Sequence, residues 1–363
     1  MKMYKLGIIG FGSMASSHFR IISNKAHDPN LPGYVDNVEV KGVFDLNPKR
    51  MEAAKEYGLV AYPSRDALLA DPEIDIVLVA TTNEAHMENS IAALEAGKHV
   101  ICEKPVTLSS EELEKIMAVA ERCGKLFTVN QNRRVNRDFL LMCEKVESGI
   151  LGKAYVIESR VEGSRGVPAG WRTIKRLGGG MMLDWGVHLI DQLLYMLPQK
   201  ITQIYCKMLS VQYPEVDDNF HLHMTFEDGL SAIVEVSTNN YITHPRWYVS
   251  GERGTMVIED WECNGKIIRR TDSDDVWEEE VVMTAAGPTK TMAPRNPEST
   301  ETIELSMPQG ITDSLSKSYD QLTAAIEGKA PLTITAEQAM RVMKVMEAAF
   351  ESAEKKKAID VEL

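Results

Sequence analysis

Lys104, Asp184 and His188 supply an ammonium, a carboxylate and an imidazole, a set suited to oxidising an alcohol. An alcohol must lose a proton as its carbon loses hydride. An imidazole titrates near neutral pH and suits that proton. A lysine beside the oxygen steadies the alkoxide that develops. Asp184 and His188 stand four residues apart in Asp184-Trp-Gly-Val-His188, a spacing that predicts one shared helix face. Gly186 between them permits close backbone approach. Asp184 is expected either to orient the substrate hydroxyl or to hold and charge-stabilise the imidazole. Lys104 lies in Glu103-Lys104-Pro105, where proline restricts it to an extended conformation and aims its ammonium into a crevice. A lone lysine is otherwise a solvated surface charge.

The hydride needs an acceptor, and the N-terminus carries a cradle for one. Gly10-Phe11-Gly12-Ser13-Met14-Ala15 follows an apolar strand pattern and opens a helical one. Gly10 permits a tight turn, Gly12 lets backbone N–H groups approach a pyrophosphate, and Ala15 allows close helix–strand packing. The helix N-terminus favours the anion. Asp45 ends the second strand, where a carboxylate would bond the adenosine ribose hydroxyls. It lies beyond the usual ~20 residues from the glycines. The loop Asn24–Asn37, with Pro29, Pro32 and Gly33, accounts for the excess. Leu46 follows Asp45, and Lys49 and Arg50 fall on the next helix. A carboxylate without an adjacent cation repels a 2′-phosphate, so NAD is the expected cofactor and NADP the less favoured one. Asp45 could instead cap the helix Pro48–Tyr57. Thr81, Thr82 and Asn83 follow the fourth strand and are expected to border the nicotinamide half. His86 reads either as a cofactor neighbour or as a helix-start histidine with a structural bond.

The elements positioning these groups fall into two patterns. Up to about residue 130, apolar runs (Tyr4–Ile9, Val38–Phe44, Ile76–Ala80, Val100–Cys102, Leu126–Val129) alternate with helical periodicity near Met14–Ser23, Pro48–Tyr57, Ala85–Ala96 and Ser110–Arg122. Short, fully apolar strands between helices predict a parallel sheet covered on both faces. Beyond about residue 150, strands are read at Ala154–Val161, Ile201–Leu209, Phe220–Phe226, Ser231–Ser237, Trp247–Ser250 and Thr255–Glu259, with a hairpin turn at Asp228-Gly229. Phe220–Phe226 alternates apolar and polar residues, as in an antiparallel sheet with one open face. Thr271–Pro308 reads as an excursion from that sheet. Thr335-Ala-Glu-Gln338 is a capping-box pattern before a helix to about Lys356. The fold class is therefore an α/β nucleotide domain (1–130) followed by an α+β domain with an open, mostly antiparallel sheet (131–363). The C-terminal helix, about 335–356, is expected to pack back on the first domain.

Composition narrows the function. The net charge of -13 disfavours nucleic acid and anionic membranes. No stretch is apolar and long enough to span a bilayer, and no signal-peptide pattern opens the chain, so the expected compartment is the cytoplasm. The five cysteines show no CxxC spacing, which argues against disulfides and structural zinc. Asp184, His188 and Asp191 could ligate a metal, but no further ligand cluster accompanies them, and Asp191 reads as structural. His221 and His223 alternate onto the open sheet face, where a solvated or interfacial role outweighs metal binding. No metal is expected.

Taken together, these motifs resemble the glucose–fructose oxidoreductase / inositol dehydrogenase / rhizopine catabolism family (Gfo/Idh/MocA). The resemblance spans nearly the whole chain: the glycine motif, the Thr-Asn-x-x-His stretch 82–86, Glu103-Lys104-Pro105, Asp184-x-Gly-x-His188 and the closing helix around Met346–Ser352. It implies a Rossmann domain, an open-sheet domain and NAD(P)-dependent oxidation of a sugar, glycoside or polyol. By motif match Lys104, Asp184 and His188 take the catalytic positions, and Glu103 joins the cofactor-binding set. Trp171 and Arg172 look like the segment that reaches cofactor and active site; otherwise Trp171 packs core and Arg172 pairs with a surface acid. Asn132 and Arg133, in Asn130-Gln-Asn132-Arg133-Arg134, are similar to a stretch near the substrate in relatives. Thr81-Thr82-Asn83 lacks the proline that many relatives carry between threonine and asparagine. Many relatives assemble through the open sheet face, which implies a homo-oligomer here. Two other functions stay open: glycosidase-like cleavage with internally recycled NAD, and a non-catalytic dinucleotide or sugar sensor.

Overall fold

The computed structural model describes residues 2–24, 34–271, 281–290, 297–307 and 315–363. The first sheet contains β1 (Tyr4–Ile9), β2 (Val38–Phe44), β3 (Val60–Ala61), β4 (Ile76–Val79), β5 (His99–Cys102) and β6 (Phe127–Val129). Its spatial order is β3-β2-β1-β4-β5-β6, and every pairing is parallel. Helices α1 (Ser13–Ile22), α2 (Pro48–Glu56), α3 (Arg65–Leu69), α4 (His86–Glu95) and α5 (Ser110–Cys123) connect these strands. All four residues of β4 are fully buried, as a central strand between two helical layers requires. The order reverses at β1 and β4, so their C-terminal ends open the crevice where ligands of doubly wound sheets bind.

The second sheet uses β7 (Ala154–Glu162), β8 (Ile201–Leu209), β9 (Asn219–Phe226), β10 (Ser231–Ser237), β11 (Trp247–Gly251), β12 (Gly254–Ile258), β13 (Gly265–Arg270), β16 (Thr300–Leu305) and β17 (Ile359–Asp360). A separate hairpin joins β14 (Val281–Thr284) to β15 (Gly287–Lys290). Order along the sheet is β16-β13-β12-β11-β7-β10-β9-β8-β17; only β7 and β10 pair in parallel. In β9, Phe220, Leu222, Met224 and Phe226 are buried while His221, His223 and Thr225 face the open side. The expected excursion 271–308 is corrected in part: Thr300–Leu305 returns as the edge strand beside β13. Much of the remaining excursion, and of the loop 24–37, lies outside the described residues.

Four more helices lie among the described residues: α6 (Arg137–Glu147), α7 (Val187–Met196), α8 (Ser316–Ile326) and α9 (Ala336–Lys355). Thr335 and Gln338 form the capping box that starts α9. Glu347 of α9 accepts from Ser110 N (2.7 Å) and Ser110 Oγ (2.8 Å) at the start of α5. Helix α8 has no counterpart in the sequence reading. Its Tyr319 and Leu322 are buried in one apolar cluster with Tyr4, Leu6, Ile8 and Val38 of the first sheet. No helix among the described residues is long and apolar enough to cross a membrane.

Candidate active site

The turn after β1 is shaped by glycine. Gly10 has φ +90°, and a Cβ there would meet Ala80 O at 2.6 Å. Gly12 is the N-cap of α1; no side chain caps this helix, and no acid lies in its first turn. Helices α2, α5 and α9 are capped by Asn47, Ser109 and Thr335. The N-terminus formed by Gly12, Ser13 and Met14 thus keeps its uncompensated donor end facing the crevice, as an anion site needs. These residues fit a dinucleotide pyrophosphate.

Asp45 stands beside this turn and does not cap α2, since Asn47 does. Its Oδ2 accepts from Phe11 N (2.7 Å) and Arg50 Nη1 (3.1 Å), and its Oδ1 accepts from Asn47 N (2.7 Å). Phe11 also packs edge-on against Phe19. The sequence reading left Asp45 without a neighbouring cation. The structure corrects this: the Asn47 turn brings the start of α2 back, and Arg50 reaches the carboxylate.

Beyond β4, Thr81 Oγ1 donates to Thr82 O (3.1 Å) and Thr82 Oγ1 to Glu84 (2.8 Å). Asn83 is buried and donates to Gly178 O (2.8 Å), tying this loop to the segment before α7. His86 is buried between Pro105 O (2.8 Å) and Thr81 O (3.3 Å), so its ring joins the loops after β4 and β5. Burial holds its pKa below the ordinary value. The Glu103 carboxylate turns inward and accepts from His18 Nε2 (2.8 Å, in the tautomer protonated there) and Asn130 Nδ2 (2.7 Å). Burial disfavours its charge, yet those bonds and the His18 and Lys104 charges hold it below the usual range.

Lys104 and Asp184 meet across 80 residues of sequence. Lys104 Nζ donates to Asp184 Oδ1 (2.9 Å) and to Asp184 O (2.8 Å). Arg172 Nε donates to the other oxygen, Oδ2 (2.8 Å), so its acid is Asp184 and not a surface residue. Its guanidinium also lies 4.6 Å from the centroid of the half-buried Trp171 ring. Burial works against the Asp184 charge, but Lys104 and Arg172 outweigh it and keep the carboxyl below its ordinary range. The shared-helix-face expectation is refined: Met182–Gly186 forms one π-helical turn before α7. Such turns carry more residues per revolution than an α-helix and are frequent at functional sites. Asp184 is engaged by the two cations, so the expectation that it holds the imidazole gives way to this pairing.

His188 is buried, and its Nδ1 has no hydrogen-bond partner. Burial, then the charges of Lys104, Arg133 and Arg246, push its pKa well below the ordinary value. Asn132 Oδ1 is likewise buried without a partner. Arg133 stacks its guanidinium 4.9 Å from the Trp185 ring centroid, and Trp185 packs against His188 at 5.9 Å. Asp191 makes a buried two-point ion pair with Arg134 (2.6 and 2.7 Å), consistent with its structural reading. His221 and His223 belong to no cluster of three potential metal ligands among the described residues; Glu162, Glu235 and His244 do, on the same open face.

Sequence reasoning missed several residues here. Arg246 is buried and paired with Asp138 (3.1 Å), and burial lowers its pKa to about 10. His18, in the middle of α1, bonds both Glu103 and Tyr319 Oη (2.6 Å). Asp217 Oδ2 accepts from Met182 N (2.7 Å) at the head of the π-turn. Each lies outside a recognisable motif, and its partner is remote in sequence.

Residues 4–131 match the model of the oxidoreductase family with an NAD-binding Rossmann fold, and residues 139–257 match the GFO/IDH/MocA C-terminal domain. The scyllo-inositol 2-dehydrogenase (NADP(+)) IolW of Bacillus subtilis is 28% identical, over 99% of this chain and 96% of its own. The myo-inositol 2-dehydrogenase of Thermotoga maritima is 26% identical, over 70% of this chain and 75% of its own. The crystal structure of an NAD-binding protein from Listeria innocua superposes with a TM-score of 0.90 at 42% identity, covering 99% of this chain and 100% of that one.

Proposed function

The chain belongs to the Gfo/Idh/MocA oxidoreductase family, and from that premise we propose that it oxidises a secondary hydroxyl of a sugar, glycoside or polyol, with Lys104, Asp184 and His188 as catalytic residues. The observation that carries this reading is the Lys104–Asp184 contact beside a buried imidazole whose Nδ1 lacks a partner. A buried unpaired polar atom costs about 1–3 kcal/mol. Substrate hydroxyls at His188 Nδ1 and Asn132 Oδ1 would relieve that cost.

A nicotinamide dinucleotide, when bound, would supply the hydride acceptor. Gly12, Ser13 and Met14 at the start of α1 would hold its pyrophosphate, Gly10 and Phe11 shape the turn that places them, and Asp45 would border the adenosine ribose. Thr81, Thr82, Asn83, Glu103, Trp171 and Arg172 frame the nicotinamide end, and His86 fixes the two loops there. NAD is accepted at this site. In the substrate half, Lys104 donates to the reacting oxygen and stabilises its developing negative charge. Arg133 adds positive potential, and Asn132 positions a second hydroxyl. His188, neutral at pH 7, takes the hydroxyl proton during oxidation. In the reverse direction its imidazolium, made acidic by burial and then by the surrounding cations, returns that proton readily. Asp184 holds the Lys104 ammonium in place. The two named inositol dehydrogenases among the relatives support a polyol as the substrate class. The open face of the second sheet, with Tyr205 and Ile268 exposed on it, is the surface at which we place self-assembly.

A panel of inositols, sugars and glycosides with NAD, read by absorbance of reduced nicotinamide, tests this function. The reading expects one reduced nicotinamide per substrate oxidised. Bond cleavage without net reduced nicotinamide would assign the internally recycled reaction instead.

A further inference from the structure

The open face of the second sheet holds a group of side chains that the proposed oxidation does not use. We propose that Glu162, Glu235 and His244, with His221 as the fourth ligand, bind one divalent transition-metal ion, zinc foremost. The ion would clamp the connection between β10 and β11 to the end of β7. The site stands independently of the dinucleotide and of the reaction proposed above.

The ligands converge from separate elements. Glu162 ends β7, Glu235 lies in β10, and His244 stands in the connection from β10 to β11. One oxygen from each carboxylate and one imidazole nitrogen lie within 4.8 Å of one another. His244 Nδ1 is 2.9 Å from Glu162 Oε1. Donors around a tetrahedral zinc stand about 3.3 Å apart, because its bonds to nitrogen and oxygen are about 2.0–2.2 Å long. The difference is within reach of side-chain rotation. His221 lies opposite Glu235 in the neighbouring strand β9, with Nδ1 3.6 Å from Glu235 Oε1, and its half-exposed ring can turn toward the ion. Two imidazoles and two carboxylates suit zinc, whereas calcium and magnesium take oxygen ligands.

The charges here call for a cation. The Glu162 side chain is only 2% exposed, yet no lysine or arginine among the described residues pairs with it. A buried carboxylate is costly unless a charge answers it. Arg160 is shared between Glu158 and Glu235, so one guanidinium serves a group of three carboxylates. Lys207 stands a strand further away, opposite His221. Arg160 takes Glu235 Oε2 (3.1 Å) and leaves Oε1 turned toward His221. No spacing in the sequence marks this set, because 82 residues separate Glu162 from His244. The rival account is a hydrogen-bonded surface pair, His244 on Glu162, that takes up no ion.

Zinc chloride titrated into the chelator-stripped full chain, in competition with a chromophoric zinc indicator, separates the two accounts. One ion per chain is expected, and cobalt(II) in its place should give the visible absorption of a tetrahedral centre. His244→Ala and Glu235→Gln should each weaken zinc at least ~10-fold, the loss seen when even a group supporting a ligand is removed. Arg160→Gln should tighten it by releasing Glu235 Oε2. Zinc should raise the melting temperature of the wild-type protein and leave that of His244→Ala unchanged. Far-UV circular dichroism checks that each variant is folded. Zinc affinity unchanged in both His244→Ala and Glu235→Gln, or wild-type protein that does not compete with the indicator, overturns the proposal.

Discussion

Arg172 and Lys104 divide the two oxygens of Asp184 between them, at 2.8 and 2.9 Å. Asp184 is buried, so without these cations its carboxyl would rise toward neutrality. That gives a prediction with a definite sign. Arg172→Ala removes one cation and one hydrogen bond, so the Asp184 pKa should climb toward its ordinary value or above. The acid limb of the kcat/KM–pH profile should then move to higher pH, because protonated Asp184 no longer holds Lys104. An acid limb that stays in place in this variant would detach Arg172 from the site's electrostatics. At this scale the sequence was partly legible. Lys104, Asp184 and His188 stood out through motif and spacing. The partner of Arg172 did not, because the π-turn decides which way Asp184 points. The Asp45–Arg50 pair escaped for a related reason: they stand five positions apart, and the Asn47 turn folds the second onto the first.

Among the elements, the π-turn Met182–Gly186 does most to position the chemistry. Its head is held by Asp217, whose carboxyl burial pushes up to about 7 and whose Oδ2 accepts from Met182 N. Gly180 lies against it, with φ +110° and room for no side chain: a Cβ there would stand 2.2 Å from Asp217 Oδ1. Gly180→Ala must therefore displace Asp217 or the turn. Misplacement of a catalytic group by about 1 Å can cost ~100-fold in rate. Steady-state turnover should fall roughly 10- to 100-fold, while fluorescence titration shows dinucleotide affinity retained, since α1 and its glycine turn are untouched. Equal loss of both would mean that Gly180 supports the fold at large. The buried strands of the first sheet were readable because Ile76–Val79 and its neighbours are continuously apolar. Thr300–Leu305 was not: Thr-Glu-Thr-Ile-Glu-Leu has only Ile303 and Leu305 as apolar residues, enough for an edge strand and too few to announce one. Helix α8 was missed likewise, since few apolar residues, chiefly Tyr319 and Leu322, secure it to the first sheet.

Across the whole molecule, the site is built by convergence. Lys104 comes from the loop after β5, Arg133 from the segment after β6, and Asp184 and His188 from the turn and helix covering the second sheet. Neither sheet alone assembles the site. Asn83–Gly178 and Ser110–Glu347 bonds cross between the parts that do. The most direct measurement is single-turnover oxidation of a polyol by Lys104→Ala, with dinucleotide affinity determined on the same protein. The convergent site predicts at least a ~100-fold slower chemical step with affinity largely kept, as expected for loss of a group that stabilises developing charge. A chemical step close to the wild-type rate would contradict it, because the oxygen would then be activated without the ammonium that Asp184 holds.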